Sequence, residues 1–182
     1  MWPLTYLGGD DVRDVFINTI ESELGQRQDV TDDEVRVLRE AVLVIGVLAA
    51  VDNHAFDYLT QHYKIYQWHG SRRWEPVEGM RPSPDLLLQD AALIALGASG
   101  REQAREILDG LRLVGGPETA DMAHAMVSAT FYFALVSEHG TSIMYELYGI
   151  PELLVAEYKN WKATPSGAAM VKWRDRVLLE RK

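Results

Sequence analysis

The sequence contains no cysteine. Disulfide scaffolds, cysteine nucleophiles, thiolate zinc sites and Cys-ligated iron–sulfur clusters are excluded on that ground. Basic charge is also in short supply. Lys and Arg number 18 against 27 Asp and Glu, a formal net charge of -9, and a general nucleic-acid binder needs a basic face to neutralise phosphates. Long hydrophobic runs are missing too. The longest, Ala41 to Val51, covers about half of what a membrane span needs and reads as a core helix. Met1-Trp2-Pro3-Leu4 lacks the basic and apolar regions of a secretory signal, so a cytoplasmic location is expected, with no membrane partner. Sustained apolar–polar alternation and Asn-Gly hairpin turns are absent, which argues against strands. No Gly-rich phosphate loop, Gly-x-Ser-x-Gly or His-Glu-x-x-His motif occurs.

What is present is an ordinary globular composition, 47% hydrophobic and 25% charged over 182 residues, enough for one domain with a sizeable core. Helix start and stop signals recur along it. Asp10-Asp11 opens an apolar pattern that Gly25 closes. Thr31-Asp32-Asp33-Glu34 has the capping-box spacing and starts a helix predicted to end near Val51. Asp52 is placed to cap a third helix running toward Ile65. Ser83-Pro84 marks another start. Ser99-Gly100-Arg101-Glu102 reads as a second capping box, with Gly115-Gly116 ending its helix. Pro117, Thr141, Pro151 and Pro165 open the remaining helices. An all-α domain of about nine helices over residues 1–182 is predicted.

Helix starts near 83, 117 and 151 repeat every 34 residues, a spacing that suggests stacked antiparallel αα-hairpins; a compact helical bundle is the alternative. Small residues near the ends of the first helices would let the two helices of a pair cross closely. The stretch Ala92-x-x-Ala95-Leu96-Gly97-x-x-Gly100-x-x-x-Ala104-x-x-x-Leu108-x-x-Leu111 resembles a HEAT-type repeat over about 83–114. Residues 43–59 and 127–148 lack its Ala-Leu-Gly-x-x-Gly turn. The resemblance implies a short α-solenoid or bundle with a scaffold or binding role, and no catalytic residues.

Between the pairs starting near 31 and 83 some 18 residues exceed the repeat, at 65–82. This inserted loop is aromatic and basic, and Tyr63 leads into it. Tyr66, Trp68, His69, Arg72, Arg73 and Trp74 are therefore candidate partner-binding anchors, because Trp and Arg dominate binding hot spots and Arg stacks on aromatic faces. The competing reading is that Trp68 and Trp74 pin the loop to the body.

Two pairs, His54-x-x-Asp57 and Asp121-x-x-His124, have the one-turn spacing of metal ligands in helical bundles. In stacked hairpins they would lie at opposite ends of the layer, so no metal site, catalytic residue or cofactor is assigned. Glu138-His139 is a potential acid–base pair at a helix end, and Tyr132, Tyr145, Tyr148 and Tyr158 are candidates to line a pocket.

Charge is uneven. Residues 1–60 and 82–158 each carry a net -8, residues 61–81 carry +2, and the C-terminal helical region 159–182 carries +5, with Lys172, Arg174, Arg176, Arg181 and Lys182. Large acidic surfaces steer basic proteins. The expectation is a non-enzymatic acidic scaffold or inhibitor, of the immunity-protein kind, that binds a basic protein. A metal-dependent helical-bundle enzyme and a small-ligand-binding protein are the alternatives, and the oligomeric state stays open.

Overall fold

A computed structural model describes residues 9–26, 30–65, 88–113, 120–148 and 150–180, with the backbone alone at 23–26, 120–121 and 148. The fold is all-α. The helices are α1 (Asp10–Gln26), α2 (Asp32–Leu48), α3 (Asn53–Asp57), α4 (Gln89–Ala98), α5 (Glu102–Leu113), α6 (Ala120–His139), α7 (Ser142–Tyr148), α8 (Pro151–Ala163) and α9 (Pro165–Leu179). A single π-helical turn, Tyr58–His62, continues α3. No strand occurs among the described residues.

Local chemistry explains most boundaries. The Thr31 capping box forms as expected: the Glu34 N–H donates to Thr31 Oγ1 (3.3 Å) and the Thr31 N–H to Glu34 Oε2 (2.8 Å). Helix α2 ends at Leu48, three residues short of Val51, and Asp52 then accepts from the N–H groups of His54 (2.7 Å) and Ala55 (3.2 Å) to start α3. The second expected capping box does not form. Ser99 closes α4 instead of opening α5: its hydroxyl donates to Leu96 O (2.7 Å), and Gly100 follows with φ +62°. That left-handed residue is a C-terminal signal, which the Ser-x-x-Glu spacing masks. Thr164 serves two helices, its hydroxyl donating to Trp161 O (2.7 Å) and accepting from the Gly167 N–H (3.1 Å).

Helices α1, α2, α4 and α6 pack in sequence, then α9 packs on α6 and α8 on α9. Buried side chains from Phe16 to Val177 form one contiguous core. Helices α2, α4 and α6 form a row, whereas α8, the helix starting at 151, does not continue it: α9 packs on α6 in its place. The second helices pack mainly on this row rather than on each other.

The close crossings also fall between pairs, not within them as expected. A Cβ on Gly46 would sit 2.4 Å from Ala95 O, and one on Gly97 would sit 2.1 Å from Ala129 O. Glycine lets the backbones of α2 and α6 approach α4 from both sides. Arginines tie the rows together. Arg39 forks onto Asp90 between α2 and α4 (3.0 and 2.5 Å). Arg101 donates to Asn53 Oδ1 (2.7 Å) and lies over the Phe56 ring (5.0 Å). Arg13 joins Asp10 and Asp14 on α1 to Asp52 at the start of α3.

Candidate functional site

The anchors expected from the inserted loop, Tyr66, Trp68, His69, Arg72, Arg73 and Trp74, lie outside the described residues. Tyr63, just before them, is buried against the rings of Tyr58 and His62 and belongs to the core. The pairs with metal-ligand spacing are His54 with Asp57 and Asp121 with His124, and the Asp121 side chain lies outside the described residues. His54, Asp57 and His124 are exposed, and no group of three or more metal-ligating side chains forms among the described residues.

A different surface stands out, built on α8. Leu153, Leu154, Val155 and Ala156 are consecutive. At roughly 100° per residue they run around most of the helix, so no single neighbour can cover them. Of the 13 residues in α8, only Trp161 is buried. Ile150, Leu153 and Val155 remain 45%, 48% and 51% exposed. Trp161 and Tyr158, stacked on each other (5.8 Å), anchor the helix on Phe131 of α6 (5.5 and 5.2 Å).

Helix α8 forms a ridge between two clefts. On one side Pro151 and Leu154 join Leu43 and Glu40 of α2, Tyr132 of α6, and Met144 and Leu147 of α7 around a cavity of about 240 Å³. Burial, and after it the Glu40 carboxylate, push the Tyr132 phenol above its ordinary pKa, so it stays a neutral hydroxyl. On the other side Phe131, Leu135, Glu138 and His139 of α6 face Glu157, Asn160 and Trp161 of α8 across a groove of about 370 Å³. His139 Nε2 lies 3.9 Å from Glu138 Oε1. Of the tyrosines expected to line a pocket, Tyr132 does so, whereas Tyr158 packs on Phe131 and Trp161.

Acidic charge gathers on α2, α6 and α7, with seven acids and two bases, whereas α8 carries two of each and α9, packed on α6 and α8, carries Lys172, Arg174 and Arg176 against Asp175. Arg36 pairs with Asp33, Arg39 with Asp90, and Lys162 lies over the Tyr158 ring (4.7 Å). Among the described residues no helix is long and apolar enough to cross a membrane. Compared with known proteins, the chain matches no protein-family model, no curated protein and no solved structure.

Proposed function

We propose that the protein is a non-catalytic interaction module that binds a basic protein partner through the face built on α8. The observation that carries this reading is the exposure of Leu153 and Val155 on α8, and of Ile150 just before it, on a helix with one buried residue. Large apolar side chains left exposed on several sides of one helix offer surface that a protein partner can cover. The acidic charge on α2, α6 and α7 selects the partner, because it accelerates encounter with basic proteins and repels acidic ones. A second copy of this chain, also at -9, would set like charges against each other across a two-fold interface. A scaffold or inhibitor role of the immunity-protein kind fits this chemistry, with the row of α2, α4 and α6 as its support.

The test is affinity purification from the native cell with the wild-type chain and with Leu153→Ser/Val155→Ser, the recovered proteins being identified and quantified. A basic protein recovered in near-stoichiometric amount with wild type and lost with the variant, at unchanged helicity, supports the reading. Equal recovery with both chains refutes it.

A further inference from the structure

The cavity between α2, α6, α7 and α8 combines apolar walls with one polar pair. Leu43 of α2, Met144 and Leu147 of α7, and Pro151 and Leu154 of α8 supply the walls. The polar pair is Glu40, one helical turn before Leu43, and Tyr132 of α6. No Lys, Arg or His is among the lining residues. Burial, and after it the Glu40 carboxylate, disfavour the Tyr132 phenolate, so the Glu40 charge is felt within this partly buried space. The volume, about 240 Å³, exceeds the ~150 Å³ that suffices for a benzene ring and lies just below the range of drug-sized clefts, roughly 300–1,000 Å³. Apolar walls with a few convergent polar groups, one of them perturbed by its surroundings, are how a small-molecule site is built.

We infer that this cavity binds a small organic amine, with a primary ammonium head and an apolar body of about six to eight carbons. The five apolar side chains take the body out of water. The head donates to two kinds of oxygen: the Glu40 carboxylate, a charge-assisted acceptor, and the Tyr132 hydroxyl, a neutral one. An acid of the same shape would bring a like charge toward Glu40 and is disfavoured. A neutral alcohol keeps the apolar contacts and loses the attraction between charges. The assignment goes beyond the partner reading and does not rest on it. Leu154 lines the cavity, whereas Leu153 and Val155 do not.

The test uses the whole chain, isotope-labelled at its methionine methyls, and three probes of similar shape: phenethylamine, phenethyl alcohol and phenylacetate. Binding is read from the Met144 methyl resonance, assigned with Met144→Leu. The expected result is a saturable shift with the amine at a dissociation constant of about 1 mM or tighter, about fivefold weaker binding of the alcohol, and about tenfold or more weaker binding of phenylacetate. Glu40→Gln, which keeps the shape of the wall, should weaken the amine about fivefold and bring it level with the alcohol. Leu154→Trp should fill the cavity and abolish amine binding. No saturable shift at Met144, equal binding of amine and alcohol, or phenylacetate binding as tightly as the amine overturns the assignment. Undiminished amine binding by Glu40→Gln, or by a folded Leu154→Trp, overturns it as well. If Leu154→Trp fails to fold, Glu40→Gln decides alone. Recovery of a protein partner is a separate readout, so either reading can fall while the other stands.

Discussion

Helices α4 and α8 are both rich in short apolar runs, yet the fold treats them in opposite ways. In α4, seven of ten residues are buried, and α2 and α6 close on it from both sides through Gly46 and Gly97. In α8, one of thirteen is buried, and Leu153 and Val155, with Ile150 just before the helix, are about half exposed. Packing accounts for nearly every residue of α4. It does not account for Leu153 and Val155 of α8, which stay about half exposed.

Substitutions separate these two kinds of helix. The largest effect is expected from Gly97→Leu, whose Cβ alone would collide with the Ala129 backbone. Overpacking against main chain has no flexible neighbour to absorb it, so a loss of more than ~3 kcal/mol, or failure to fold, is expected in urea denaturation. Leu96→Ala, at a fully buried site in the same helix, should lose about 2–5 kcal/mol through the cavity it leaves.

A smaller, pH-dependent effect is expected at Asp52. Burial works against this carboxylate, but donation from the Ala55 N–H, the Arg13 guanidinium and the His54 N–H together hold its pKa below the ordinary value. A carboxylate with a lowered folded pKa contributes its stability above the unfolded value, near 4, and loses it as pH falls through the folded value. Asp52→Ala should therefore cost about 1 kcal/mol at neutral pH. The gap to wild type should shrink as pH falls below about 4, measured by thermal unfolding across a pH series. The smallest stability change is expected from Leu153→Ser or Val155→Ser, each within ~0.5 kcal/mol as for surface positions elsewhere. A large loss there would mean that α8 is a core helix and would erase the contrast with α4.

The sequence made the row of helices legible because the signals are local. Thr31, Asp52, Pro151 and Pro165 start helices where their side chains or fixed φ predict, and Gly140 ends one with φ +80°. Ser99 was ambiguous because Ser-x-x-Glu spacing and Ser-Gly termination overlap, and tertiary packing of Gly100 against Val136 goes with the second. The glycine crossings were misplaced to within a pair because partner choice between helices is non-local. The α8 face was readable in principle, since Leu153 through Ala156 cannot all be buried by one neighbour. The aromatic and basic residues at 66–74 carry the stronger compositional signal. The groove was legible only in parts: Glu138-His139 stood out as an acid–base pair, but nothing local brings Glu157 and Trp161 across from another helix.

The most direct measurement is hydrogen exchange on the chain alone and on the complex recovered with its basic partner. Amides of α4 are expected to exchange slowly in both states, and those of residues 150–163 to slow by about tenfold or more on complex formation. Unchanged exchange across 150–163, with protection appearing on another surface, would contradict the assignment of α8 as the binding face.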